Sequence, residues 1–301
     1  MLVNRAVDTY IALVSSIIVY SINGILDYIV ISKIGLGGTV LSIGLGMLLG
    51  AVFLIPVFKS HLRLKKVSYL LFSSSSAFFI VIYNLLLFIA YLKYTLASIY
   101  PLIGLSALVF FVIDVIRYKR KLPVQLITGL SFAVILVTLG VFFAESTNFN
   151  FRLGTLPFVV GISLFAGIGY YMNFYKIRKY SIGTKVAFQP IFMLLFALLF
   201  FKSTVPVNNP YFILGILGGF LFILAVFLEL KAMKINNTSS IKKTVITRNF
   251  INDFGYLDTV LVLIGSILIG SFTYEEIFGG LLIFAGVLYL EHIRRGNITK
   301  E

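Results

Sequence analysis

The sequence contains no cysteine and no tryptophan, and only two histidines, His61 and His292. The first absence excludes disulfides, thiolate metal sites and cysteine nucleophiles. The scarcity of histidine excludes a histidine-rich metal cluster. Charge is scarce as well: 12% of the residues are Asp, Glu, Lys or Arg, against about 25% in an average soluble domain. What stands in their place is apolar, with 59% hydrophobic residues and a mean hydropathy of +1.04 over 301 residues. A soluble enzyme of this length needs far more polar surface, and a disordered chain far less apolar content. A polytopic membrane protein remains.

A helical span requires roughly 20 apolar residues. Hydropathy windows place ten spans, at 9–31, 38–58, 69–92, 95–116, 124–144, 155–175, 183–201, 210–230, 249–270 and 275–293. The stretches are continuously apolar and do not alternate, which excludes a β-barrel. The first is too long for a removable signal peptide and lacks a small-residue cleavage site, so it is predicted to stay as an anchor. With a cytoplasmic N-terminus, 21 of the 25 basic residues fall on the cytoplasmic side, Lys185 among them; only Lys33, Lys93, Arg152 and Lys202 fall outside. The positive-inside rule therefore predicts a multi-pass protein of the cell membrane with both termini in the cytoplasm. The same loops account for the net charge of +14 through the anionic headgroups of the lipid bilayer, with no nucleic-acid partner. The sequons at Asn236, Asn237 and Asn297 fall on the cytoplasmic side and read as chance matches.

Ten spans divide into two sets of five, residues 1–146 and 147–301. Five is odd, so the halves enter the membrane from opposite sides, as inverted repeats do in secondary transporters. The fifth and tenth spans each run from a polar hairpin into an apolar stretch with a late glycine, PVQLITGLSFAVILVTLGVFF (123–143) and YEEIFGGLLIFAGVLYL (274–290). Their preceding hairpins differ in sign, RYKRK (117–121) being basic and FTYEE (272–276) acidic. Three longer stretches are YLKYTLASIYPLIGLSALVFFVI (91–113), GIGYYMNFYKIRKYSIGTKVAFQPIFMLLFALLFF (167–201) and GSILIGSFTYEEIFGGLLIFAGVLYL (265–290). In these the chain resembles the drug/metabolite transporter superfamily in its ten-span, EamA-like branch. The first resembles the joint of the third and fourth spans with its early proline, Pro101; the second resembles the start of the second repeat with its Phe188–Gln189 pair; the third resembles the closing signature with Thr273, Gly279 and Gly286. The resemblance implies an all-α fold of two inverted five-helix repeats and a small organic substrate. The chain departs from that pattern where Gly270 stands in place of the usual glutamate of the last hairpin, where the first-repeat counterpart falls near Arg120, and where no proline opens the ninth span and Gly255 is expected to supply the flexibility.

Ionisable groups inside a bilayer cost roughly 2.5–3.5 kcal/mol at a helix centre, so each requires a reason. Ser16, Tyr20, Asn23 and Asp27 are spaced four, three and four apart and share one face of the first span. Such a stripe is expected to face a cavity or another helix. Tyr20 and Asn23 are candidate substrate ligands, and Asp27 a candidate ion or proton site; helix–helix hydrogen bonding is the alternative. In the third span Tyr83 and Asn84 lie near mid-depth and are further substrate candidates, while Ser73–Ser76 read as packing residues. Tyr100, a further substrate candidate, precedes Pro101, which is expected to open the fourth span locally. The sixth span ends in Tyr170, Tyr171, Asn173 and Tyr175, read as an interfacial tyrosine belt. The ninth begins NDFGYLD (252–258). Asp253 is expected at the interface, where pairing with Arg248 would account for it, and Asp258, the deepest acid by position, is the first candidate for ion or proton coupling. Asp114 and Glu229 stand beside Arg117 and Lys231, where local ion pairing suffices; Gly46, Gly50, Gly215, Gly218 and Gly219 read as helix-packing positions.

No Gly-rich phosphate loop is present, so ATP is not a direct energy source. The expected activity is secondary transport of an amino acid, drug-like or sugar-type solute, without cofactor or metal. A flippase for a lipid or lipid-linked sugar is the second reading. An intramembrane enzyme is disfavoured, because its chemistry needs clustered carboxylates or a His/Ser pair, and the 11 acids are scattered along the chain. The sequence is compatible with a monomer or a homodimer.

Overall fold

In lipid an apolar segment has to satisfy its backbone N–H and C=O groups internally, and a helix does so within one segment. The computed structural model describes residues 2–60, 62, 66–106, 109, 112–113, 116, 132, 135–136, 139–140, 156–174, 181–200, 208–238 and 257–298, and among them there is no strand. The helices are α1 (Leu2–Val57), α2 (Val67–Tyr91), α3 (Leu96–Ile99), a 3-10 helix (Tyr100–Leu105), α4 (Leu156–Phe174), α5 (Ile182–Phe200), α6 (Pro210–Thr238), α7 (Leu257–Leu268) and α8 (Tyr274–Ile298). Four of them, α1, α2, α5 and α6, are long and apolar enough to cross a bilayer. The chain is a helical membrane protein. The predicted span 124–144 is described at a few positions only, and the loop 117–121 with Asp114, Arg248, Asp253 and Gly255 lies outside the described residues.

α1 is too long for one crossing: its 56 residues would reach about 84 Å at about 1.5 Å each, against a hydrocarbon core of about 30 Å. It turns at Gly35, where φ is 67° and ψ −178°, a combination open essentially to glycine. The two arms, 2–34 and 36–57, run in opposite directions, as their packing on α6 records. Along α6, Gly215, Gly218 and Glu229 meet Val30, then Asp27 and Asn23, then Tyr20 of the first arm, in falling order. Gly215, Gly219, Ile223 and Phe227 meet Ser42, Ile43, Gly50 and Phe58 beyond the turn, in rising order.

Glycines set how closely these helices approach. A Cβ at Gly46 would collide with the Ile216 carbonyl oxygen, and one at Gly219 with that of Ile43. Gly46 and Gly50 on the arm and Gly215 and Gly219 on α6 are each four apart, the small-residue spacing that lets backbones touch and gains dispersion where lipid offers no hydrophobic drive.

α2 lies antiparallel to α4, pairing Leu86 with Gly161, Ile80 with Gly169 and Ser76 with Asn173. It lies parallel to α5, with Phe72 over Lys185 and Phe78 against Phe192 and Phe196. At Pro101 the fourth predicted span winds into the 3-10 helix. The local opening expected there is instead a tightening, which brings Pro101 against Gly280 of α8 and Tyr100 against Gly24. The first arm turns Ile11, Val14, Ile18 and Ile22 outward and buries Leu13, Ser16, Ile17, Asn23, Asp27 and Val30. The polar stripe read from the sequence therefore faces the interior of the bundle.

Candidate functional site

Buried and half-buried polar groups of six elements converge between the helices. Tyr20 on α1 donates its hydroxyl hydrogen bond to Glu229 Oε2 on α6 at 2.9 Å. Tyr100, at the start of the 3-10 helix, donates to Asp258 Oδ2 on α7 at 3.2 Å. Asp258 Oδ1 also accepts from the Thr259 backbone N–H at 2.7 Å, and Ser21 of α1 donates to the Asp258 carbonyl at 3.4 Å. One turn of α1 joins Asn23 Nδ2 to Asp27 Oδ2 at 2.9 Å. Tyr83 of α2 and Tyr170 of α4 share a hydroxyl–hydroxyl hydrogen bond of 3.0 Å, their rings 5.8 Å apart.

These pairs belong to one cluster. Glu229 and Asp258 are close enough to act on each other electrostatically, and Tyr83 lies within range of Glu229, Asp258 and Asp27. Tyr91, whose buried hydroxyl has no partner among the described residues, lies within range of Asp27 and Asp258. Among the described residues no lysine or arginine forms an ion pair with any of the three acids. Burying an ion costs several kcal/mol, and here phenols and amides, not cations, meet that cost. A carboxylate held by neutral donors is poised to take a proton or a cation. No group of three metal-ligating side chains occurs among the described residues.

Of the residues singled out from the sequence, Tyr20, Asn23, Asp27, Tyr83, Tyr100 and Asp258 come together here. Asn84 is buried but turns its amide back to the Ile80 carbonyl of its own helix at 2.9 Å. Three assignments change. Glu229 does not pair with Lys231, whose ammonium lies 5.2 Å from the Phe58 ring centroid; it turns inward to Tyr20. Its position was legible: Gly218, Phe222, Val226 and Glu229 follow the spacing of one helical face. Tyr170 lies inside the bundle against Tyr83, not in an interfacial belt. Lys185 is not a loop residue: it is 1% exposed on α5, and its ammonium donates to the Met172 carbonyl at 3.0 Å and to that of Asn173. Both carbonyls belong to the last turn of α4, where the helix leaves acceptors unpaired and its dipole favours a cation.

The sequence matches no protein-family model and no curated protein.

Proposed function

We propose that the chain is a secondary transporter of the drug/metabolite type, moving a small organic solute across the cell membrane by alternating access, and not an enzyme. The observation that carries this reading is the polar cluster itself, with the half-buried Glu229 and Asp258 held by Tyr20 and Tyr100 between helices from both halves of the chain. Ionisable residues inside membrane spans mark substrate and ion pathways or proton relays, and among the described residues these acids have no lysine or arginine partner. Asp258 is the coupling group, with Glu229 beside it; Tyr20, Asn23, Tyr83 and Tyr100 line the substrate path.

The two-repeat reading, 1–146 and 147–301, draws support from the way packing partners exchange. If the first five spans correspond to the last five, the contact of the first span with the eighth has its counterpart in that of the sixth with the third. Tyr20–Glu229 and Tyr170–Tyr83 are those two contacts, and both helix pairs are antiparallel. The second span runs parallel to the eighth, and its counterpart, the seventh, runs parallel to the third. Tyr100–Asp258 joins the fourth span to the ninth, a contact that maps onto itself. An inverted repeat with its site at the junction produces this pattern.

The test is reconstitution of the purified protein into liposomes, followed by counterflow with a panel of amino acids, sugars and aromatic amines. Accelerated exchange of one solute class supports the reading. No counterflow of any member, together with scrambling of a labelled lipid between leaflets, would assign the chain to the flippases instead.

A further inference from the structure

Two buried oxygens in the cluster have no partner among the described residues: Asn23 Oδ1 and Asp27 Oδ1. Their residues are 5% and 3% exposed. The hydrogen bond between Asn23 Nδ2 and Asp27 Oδ2 leaves the other oxygen of each side chain without a donor among the described residues. Both free oxygens are aimed at the same place on α6. A Cβ built at Gly218 would lie 3.3 Å from Asp27 Oδ1 and 3.5 Å from Asn23 Oδ1. The absent side chain at Gly218 thus leaves a small space with two oxygens at its wall. The neighbouring glycines, Gly215 and Gly219, are filled by the second arm of α1; Gly218 alone of the three faces this pair. The hydroxyl of Tyr91, also buried and unpartnered, lies within electrostatic range of Asp27.

Unsatisfied buried acceptors are expensive. Two adjacent oxygens without donors, one of them a carboxylate's, are matched by a ligand that donates hydrogen bonds or carries positive charge. Hard oxygen donors suit an alkali-metal ion or a primary ammonium group, not a soft transition metal. We propose that Asn23 and Asp27, over the gap at Gly218, form a binding site for a small monovalent cation, distinct from the Tyr100–Asp258 pair. Binding itself does not depend on the transport activity; its role in coupling rests on the transporter reading.

The experiment is thermal unfolding of the detergent-purified full chain in NaCl, LiCl, KCl, methylammonium chloride or choline chloride at equal ionic strength. Parent protein, Gly218→Ala and Asp27→Asn are compared. A ligand bound only by the folded state raises Tm; at roughly 100 times Kd the rise is about 5–10 °C for a chain of this size. The expected result is a saturable rise with one of the small cations over choline, lost in both variants. The alanine methyl fills the gap and requires the carboxylate to give by only a few tenths of an ångström, so Gly218→Ala is expected to fold even if Asp27→Asn does not. A rise with Na+ or Li+ identifies a metal ion as ligand; a rise with methylammonium alone identifies the ammonium group of a substrate. Equal Tm in all five salts, or a rise that persists in Gly218→Ala, would overturn the proposal. Cation stabilisation without counterflow of any metabolite would leave the site standing and remove the transporter reading.

Discussion

Tyr20 on the first arm of α1 and Tyr170 on α4 reach across to a neighbouring helix in the same way, but what they meet differs. Tyr20 meets the carboxylate of Glu229, and Tyr170 meets the hydroxyl of Tyr83. Each joins two antiparallel helices, and each buries its hydroxyl in a hydrogen bond of about the ordinary length. The Tyr83–Tyr170 side shows that two phenols are enough to close such a contact. A carboxylate is therefore not required to close such a contact, and drawing one out of water carries a desolvation cost. Asp258 also acts electrostatically on Glu229 across the cluster. On the transporter reading proposed above, the acids on the charged side are the coupling groups, and the Tyr83–Tyr170 pair joins the helices beside them.

The strongest way to break this comparison is to neutralise the acids. In liposomes, Asp258→Asn and Glu229→Gln are expected to lower uptake driven by a pH gradient by at least about tenfold, the equivalent of roughly 1.4 kcal/mol. Exchange of substrate should survive, because the amide mimics the protonated acid. Gradient-driven uptake at the parent rate in both variants would return these acids to a structural role.

A smaller effect separates the two tyrosine pairs. Tyr20→Phe removes the donor to a buried carboxylate, a loss of about 1.5–3 kcal/mol. Tyr170→Phe breaks a neutral pair, for which membrane hydrogen bonds average about 0.6 kcal/mol. Denaturant unfolding in mixed micelles measures both, and equal losses would erase the distinction between the sides. Gly35→Ala serves as a reference outside the cluster: forcing a Cβ into that backbone conformation costs about 1–3 kcal/mol and leaves both pairs untouched.

Asparagine substitutions sharpen the comparison further. Asn23→Leu is expected to lower transport, since Asn23 supports Asp27 from within the cluster. Asn84→Leu is expected to leave transport nearer the parent level, since among the described residues the Asn84 amide nitrogen donates to the Ile80 carbonyl of its own helix. A transport defect in Asn84→Leu without loss of expression would place that residue back in the substrate path.

The smallest perturbation is a reporter of topology. Single cysteines have no background in a chain without native cysteine. Placed at Lys66 they should resist an impermeant thiol reagent from outside, and at Thr273 they should react. Labelling at Lys66 from outside would invert the orientation read from the basic loops.

The sequence by itself determined that this is a helical membrane protein. Continuous apolar runs leave the backbone no partner but itself, and that constraint is local. It also placed the turn between the first two spans, since a run of about 50 residues is far longer than a bilayer is thick, and Gly35 is one of the few residues there able to reverse it. The polar face of Ser16, Tyr20, Asn23 and Asp27 was legible too, because helical periodicity fixes which residues share a side. Which groups face one another was not. Glu229 stands two residues from Lys231 along the chain but bonds to Tyr20, 209 positions away. Lys185 stands among loop cations in sequence and is buried under the end of α4. Tyr170 follows the pattern of an interfacial belt and sits against Tyr83. In each case the competing sites differ only in what other helices bring within hydrogen-bonding distance. Only the tertiary structure decides that, because the energy of a buried polar group is set by its partner across the bundle and not by its neighbours in the chain.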